Sequence, residues 1–218
     1  MTAQIPATRY PGYDVLDKRS TPSWDEITRT VIAERLATPD QPSFLDPAQW
    51  HAMKALCGLI VVQPEGRPPI PLAAMLDALL VENSGDGYRD ARMPPLREAW
   101  RIGLAALDAE SQAQSGNLFA GLAAPTQIAL LKQMQAGELC GTSWQGMPAA
   151  LFFSERVLHD ICGAYYSHPA AWSEIGFGGP ANPRGYVRMY FDRRDPWEAV
   201  EAKSGHEEQT RKENQRVR

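Results

Sequence analysis

The chain has 218 residues, 44% of them apolar, and a formal net charge of −4 at pH 7. That is enough apolar material for one well-buried core, and no linker separates two comparably apolar halves, so a single domain with arms at both ends is expected. The acidic balance argues against a nucleic-acid partner and against docking on an anionic membrane through a polybasic patch.

The first 20 residues, MTAQIPATRYPGYDVLDKRS, carry no apolar stretch behind the first basic residue and no twin arginine. They do not read as an export signal, so a cytoplasmic location is expected, or a periplasmic one if a partner supplies the signal. Within this stretch Tyr10, Tyr13, Val15 and Leu16 sit in a non-helical context, which fits a short docking arm over residues 1–22. In "TPSWDEITRTVIAERLA", Ser23 is placed to cap a helix while Glu26 returns the bond, and Ile27, Val31 and Leu36 supply a buried stripe. A second helix starts in "LDPAQWHAMKALCGLIVV", with Asp46 as cap and Pro47 in the first turn, where its missing N–H costs nothing. Trp50, Met53, Leu56, Cys57 and Ile60 follow at helical spacing.

"QPEGRPPIP" breaks the chain, and "PLAAMLDALLVEN" resumes it with Leu72, Met75, Leu76, Leu79 and Leu80 on one side. Further helices are expected over about residues 96–112 and 126–135, and a last long one from Pro148 to Tyr166. The sum is an all-α fold of about six helices in one compact bundle, spanning residues 23–197. Residues 166–197 follow as an irregular arm rich in aromatic residues, glycine and proline. From Glu198 to Arg218 five acidic and five basic residues alternate with almost nothing to bury, which predicts a frayed helix or a flexible tail. The longest apolar runs, Leu59 to Val62 and Ala149 to Phe153, fall far short of the roughly 20 residues of a spanning helix, so no direct membrane insertion is expected.

The enzyme motifs fail one by one. "GFGGPANPRG" is neither preceded by a strand nor followed by a helix, and its prolines remove N–H donors, so it is not a dinucleotide loop. "GTSWQG" has its second glycine one residue too late for a nucleophile elbow. Ser154, His159 and Asp160 share a helix, but neighbouring residues point in different directions and do not form a relay by themselves. Cys57, Cys140 and Cys162 lie far apart with no CxxC pair, which is not a disulfide framework and fits a reducing compartment. His159 and Cys162 share a helix face and would hold a metal only if the fold brought Cys57 or Cys140 to them; isolated buried thiols are the plainer reading.

The aromatics of residues 165–189 cannot be buried locally. Either they dock on another protein, with Tyr166, Trp172, Ile175, Phe177, Arg184 and Tyr186 as anchors beside Tyr10 and Tyr13, or the segment wraps the chain's own core. The glycines would allow close backbone approach in both cases.

Three stretches taken in order carry a resemblance: "DALLVENSGDGYRDARMPPLREAWRIGLAALD", "NLFAGLAAPTQIALLKQMQAGE" and "FFSERVLHDICGAYYSHPAAWSEIGFGGPANPRGY". Together they resemble the gluconate 2-dehydrogenase subunit 3 family, the small subunit of bacterial flavin-dependent sugar and polyol dehydrogenases, over about Trp24 to Tyr186. The resemblance implies a non-catalytic accessory subunit with no cofactor of its own. It implies a large partner subunit of the glucose-methanol-choline oxidoreductase type that carries FAD, and in some systems an iron–sulfur cluster and a cytochrome c electron acceptor. The competing readings are a stand-alone metal enzyme centred on His159 and Cys162, and a helical adaptor for an unrelated partner.

Overall fold

The computed structural model describes residues 9–65, 67–83, 87–182, 185, 195 and 197–216. Its α-helices are α1 (Glu26–Leu36), α2 (Pro47–Ile60), α3 (Leu72–Glu82), α4 (Leu96–Ser115), α5 (Ala124–Ala136), α6 (Ala149–Phe152), α7 (His159–Ser167), α8 (Pro169–Ile175) and α9 (Glu207–Asn214). The described residues include no β-strand, so the all-α class is as expected, with nine α-helices in place of about six. The difference has two sources. Residues 153–158 form a π-helical stretch that divides the last long helix into α6 and α7, and two segments without apolar periodicity are helical all the same.

The chain forms two compact units, one of residues 38–165 and one of residues 1–37 with 166–218. In the first, α2 starts as its sequence dictates. The Asp46 carboxylate accepts from the Gln49 amide at 2.9 Å and the Gln49 side chain returns the bond to the Asp46 amide. Trp50, Met53, Leu56 and Cys57 are buried and Ile60 is half-buried. On α3, Leu72, Leu76 and Leu80 are buried, but so is Asp77, 1% exposed, in a helix that otherwise reads as apolar. Its two oxygens accept from the backbone N–H groups of Ser43 at 2.6 Å, Phe44 at 3.0 and 3.1 Å and Leu45 at 2.8 Å. That explains its burial, because a desolvated carboxylate is tolerated when donors surround it.

The centre of this unit is aromatic. Phe152 packs against Trp100 in a T-shaped pair at 5.3 Å and against Trp144 at 5.9 Å, and all three are at most 2% exposed. Both buried indoles place their N–H on carboxylates, Trp100 on Asp160 Oδ2 at 2.8 Å and Trp144 on Glu110 Oε1 at 3.1 Å. Rings and polar satisfaction are thus solved together.

In the second unit two expectations are corrected. α1 is capped by Asp25, whose carboxylate accepts from the Thr28 amide at 2.7 Å, and not by Ser23. Ser23 is itself buried, with its amide on Thr21 Oγ1 at 3.2 Å, and the Asp25 amide bonds the Asn182 carbonyl at 2.8 Å. The buried face of α1 is Thr28 and Ile32; Ile27 and Val31, expected inside, are 72% and 44% exposed. Ile32 joins Tyr13, Val15, Trp24 and Trp172 in a core whose position decides which face turns inward. In the tail, α9 is anchored at Asn214. Asn214, 0% exposed, donates to the Pro11 and Val200 carbonyls, each at 3.0 Å, and accepts from the Val200 amide at 2.7 Å. A tail whose other residues are mostly exposed is thus held by one buried amide side chain.

Replacing Asp77 by alanine leaves the Ser43, Phe44 and Leu45 amides without their acceptor, and a loss of roughly 3 kcal/mol in unfolding free energy is expected. Urea denaturation measures it, and faster hydrogen exchange at the amides of residues 43–45 should accompany the loss.

Candidate interaction site

The segment "HPAAWSEIGFGG" builds its own helix despite lacking a long apolar period. His168 Nδ1 accepts from the Ala170 amide at 3.2 Å, Pro169 takes the first turn, and Gly176 ends α8 at φ +68°, the left-handed conformation that favours glycine. Burial centres on Trp172, 4% exposed. Its Nε1–H donates to the Tyr166 carbonyl at 2.6 Å and its ring meets Phe177 edge to face at 5.8 Å. The Arg35 guanidinium stands 5.9 Å from its centroid. A Cβ on Gly179 would stand 2.9 Å from the Trp172 ring, and one on Gly176 would stand 2.5 Å from the Tyr10 ring. Here the glycines are needed because aromatic faces lie directly on backbone.

The residues singled out as anchors therefore divide. Trp172 and Tyr13 belong to the core of this unit, with the Tyr13 hydroxyl on the Trp197 carbonyl at 3.3 Å. Tyr10 is half-buried against Gly176. Tyr166, Ile175 and Phe177 stay 53%, 45% and 44% exposed. Arg184 and Tyr186 lie outside the described residues. To the exposed group the structure adds Ile27 and Val31, one helical turn apart on α1.

Sequence reasoning also missed Lys18, which "VLDKRS" presents as a surface residue. It is 1% exposed, donates from Nζ to the Gly178 carbonyl, and stands 6.0 Å from the Trp24 ring centroid. Burial pushes its pKa down to about 8, with Glu198 and Asp195 pulling weakly the other way.

The other candidates lie in the 38–165 unit. His159 Nδ1 does reach Asp160 Oδ1, at 3.0 Å, so these neighbours meet where successive side chains were expected to diverge. The buried carboxylate turns along the helix toward Arg156, at 3.3 Å, and meets the imidazole beside it. Ser154 Oγ donates instead to the Leu151 carbonyl at 3.3 Å. Cys57 is buried, and burial pushes its thiol up to about 12; Cys140 is exposed and Cys162 half-buried. Among the described residues no group of three or more His, Cys, Asp or Glu side chains is arranged to hold a metal ion. No helix among them is long and apolar enough to cross a membrane.

A family model described as gluconate 2-dehydrogenase subunit 3 matches residues 47–179. The chain belongs to that family. No curated protein and no solved structure matches it. The family's description makes its members one subunit of a gluconate dehydrogenase assembly, which implies a dehydrogenase as partner. The matched residues of this subunit 3 chain include Tyr166, Trp172, Ile175 and Phe177, whereas Tyr10, Tyr13, Lys18 and α1 lie before them.

The buried ammonium of Lys18 gives a pH dependence with a definite sign. Its pKa is lower folded than unfolded, so below pH 8 the folded state carries the full desolvation penalty. As pH rises through 8 toward the ordinary lysine value of about 10.4, the folded state releases the proton first and stability increases. Urea midpoints should therefore be higher at about pH 9.5 than at about pH 7.5, and Lys18→Met should flatten that rise.

Proposed function

We propose that this chain is a non-catalytic accessory subunit that binds and stabilises a large dehydrogenase subunit of the glucose-methanol-choline oxidoreductase type, with FAD held by that partner. The observation that carries the reading is the arrangement around Trp172. One buried indole fixes the backbone of Tyr166 and the ring of Phe177, while Tyr166, Ile175 and Phe177 each keep about half of their surface in water. A backbone and a ring already held in place lose little conformational freedom on binding, which is what an interface anchor requires. Ile27 and Val31 extend the same logic: a stripe patterned for burial is left outside by the chain's own core.

In this reading Trp172, Tyr13 and Tyr10 form the base of the docking site, and the exposed trio makes the contact. Support also comes from what α8 is built of, since capping, the glycine end and the close ring-to-backbone packing all serve to present a fixed surface.

A tagged chain purified from its native host should bring down a yellow flavoprotein that oxidises sugars or polyols; a colourless chain recovered alone would overturn the reading. Ile175→Ser combined with Phe177→Ser should weaken binding of that flavoprotein by about 2–4 kcal/mol while lowering the isolated chain's own stability by only about 1 kcal/mol, through loss of the Phe177–Trp172 ring contact. Trp172→Ala should instead lower the chain's own stability by about 3–5 kcal/mol. Unchanged affinity in the double variant would remove these side chains from the interface.

A further inference from the structure

The 38–165 unit contains an open cavity of about 630 Å³, within the size range of small-molecule sites. Ala48, His51 and Ala55 line it from one stripe of α2, Asp108 from α4, and Asn117 and Leu118 from the turn that follows α4. Its chemistry is unbalanced. Asp108 Oδ1 accepts from the Phe119 amide at 2.9 Å, while Oδ2 has no donor among the described residues. No lysine or arginine lines the cavity. Asn117 and His51 are exposed; the Asn117 side chain donates to the Ser115 carbonyl at 3.3 Å, and neither its oxygen nor His51 makes a further hydrogen bond among the described residues. Burial holds the Asp108 carboxyl above its ordinary range, and the negative charge of Asp46 adds to the effect. The site thus combines a half-buried carboxylate without a counter-ion, two further acceptors, and a small apolar floor of alanines beside the 50% exposed Leu118.

We propose that this cavity binds an organic cation with an aliphatic stem, its ammonium or guanidinium head on Asp108 Oδ2 and its methylenes along Ala48, Ala55 and Leu118. Such a group adds a charged donor to a carboxylate that is only half-buried and open to water, and it gives the alanines an apolar partner. An ammonium or guanidinium of this kind belongs either to a lysine or arginine side chain of a partner subunit or to a free amine, and the site does not depend on the docking surface proposed above.

Titration of the full chain with n-butylammonium and n-butylguanidinium at constant ionic strength, followed by NMR at the Phe119 amide and the Asp108 carboxyl, tests the assignment. Both cations should give a saturable shift and bind at least about tenfold tighter than methylammonium, which lacks the stem, or n-butanol, which lacks the charge. Asp108→Asn retains an acceptor for the Phe119 amide and should abolish the tenfold preference, and Ala55→Leu should remove it by filling the floor. Displacement of bound n-butylammonium by added dehydrogenase subunit would assign the site to a partner's side chain; retention would assign it to a free amine. A non-saturating response, equal binding of n-butanol, or an unchanged preference in Asp108→Asn would overturn the proposal.

Discussion

A carboxylate inside an apolar helix organises the loop before α2, and the same device recurs through the chain. In a fold whose described residues contain no strand ladder, backbone amides outside helices need other acceptors, because a desolvated N–H without one costs more than most single contacts return. Asp77 takes the amides of Ser43, Phe44 and Leu45; Glu110 takes that of Gly141; Asp108 takes that of Phe119. The acidic residues thus serve as internal joints as well as solvated surface. Asp108 differs from Asp77 in that only its Oδ1 accepts a hydrogen bond among the described residues, and the residue lines a cavity. That difference separates a structural joint from a candidate binding group.

The unit formed by the two chain ends solves another problem, which is how to hold aromatic residues rigid without a large core. Trp172 does so by bonding the Tyr166 carbonyl before α8 and packing on Phe177 and Gly179 after it, so that one buried ring holds the chain on both sides of the helix. Capped by His168 and ended by Gly176, α8 has only seven residues, well below the length at which helices persist on their own. Its order therefore comes from these contacts. The side chains of Tyr166, Ile175 and Phe177 stay about half exposed beside this buried neighbour, so exposed apolar residues and a core residue lie next to each other in sequence.

Parts of this were legible beforehand for identifiable reasons. Asp46, Pro47 and Gln49 form a local signal whose partners lie within one turn, and α2 starts as they require. The glycines after α8 were legible as sites of close approach, because residues without a Cβ beside aromatics have few other uses. The inward face of α1 was not legible: Ile27 and Val31 match the helical period as well as Ile32 does, and only the position of Tyr13, Val15 and Trp24 selects between them. Lys18, Asp77 and Asn214 were missed because composition treats polar residues as surface, whereas burial here is licensed by partners far away along the chain, such as Gly178 for Lys18 and Pro11 for Asn214.

The sequence by itself determined the all-α class, the capped start of α2 and the family, since these rest on patterns within a turn or on the order of pieces along the chain. The tertiary structure alone decided which of the candidate aromatic residues are buried and which are exposed, that the two chain ends form one compact unit, and that one oxygen of Asp108 has no hydrogen-bond donor among the described residues. The physical reason is common to all three. Exposure and hydrogen-bond satisfaction are properties of neighbours in space, and a residue's neighbours along the chain fix them only where the contact is local.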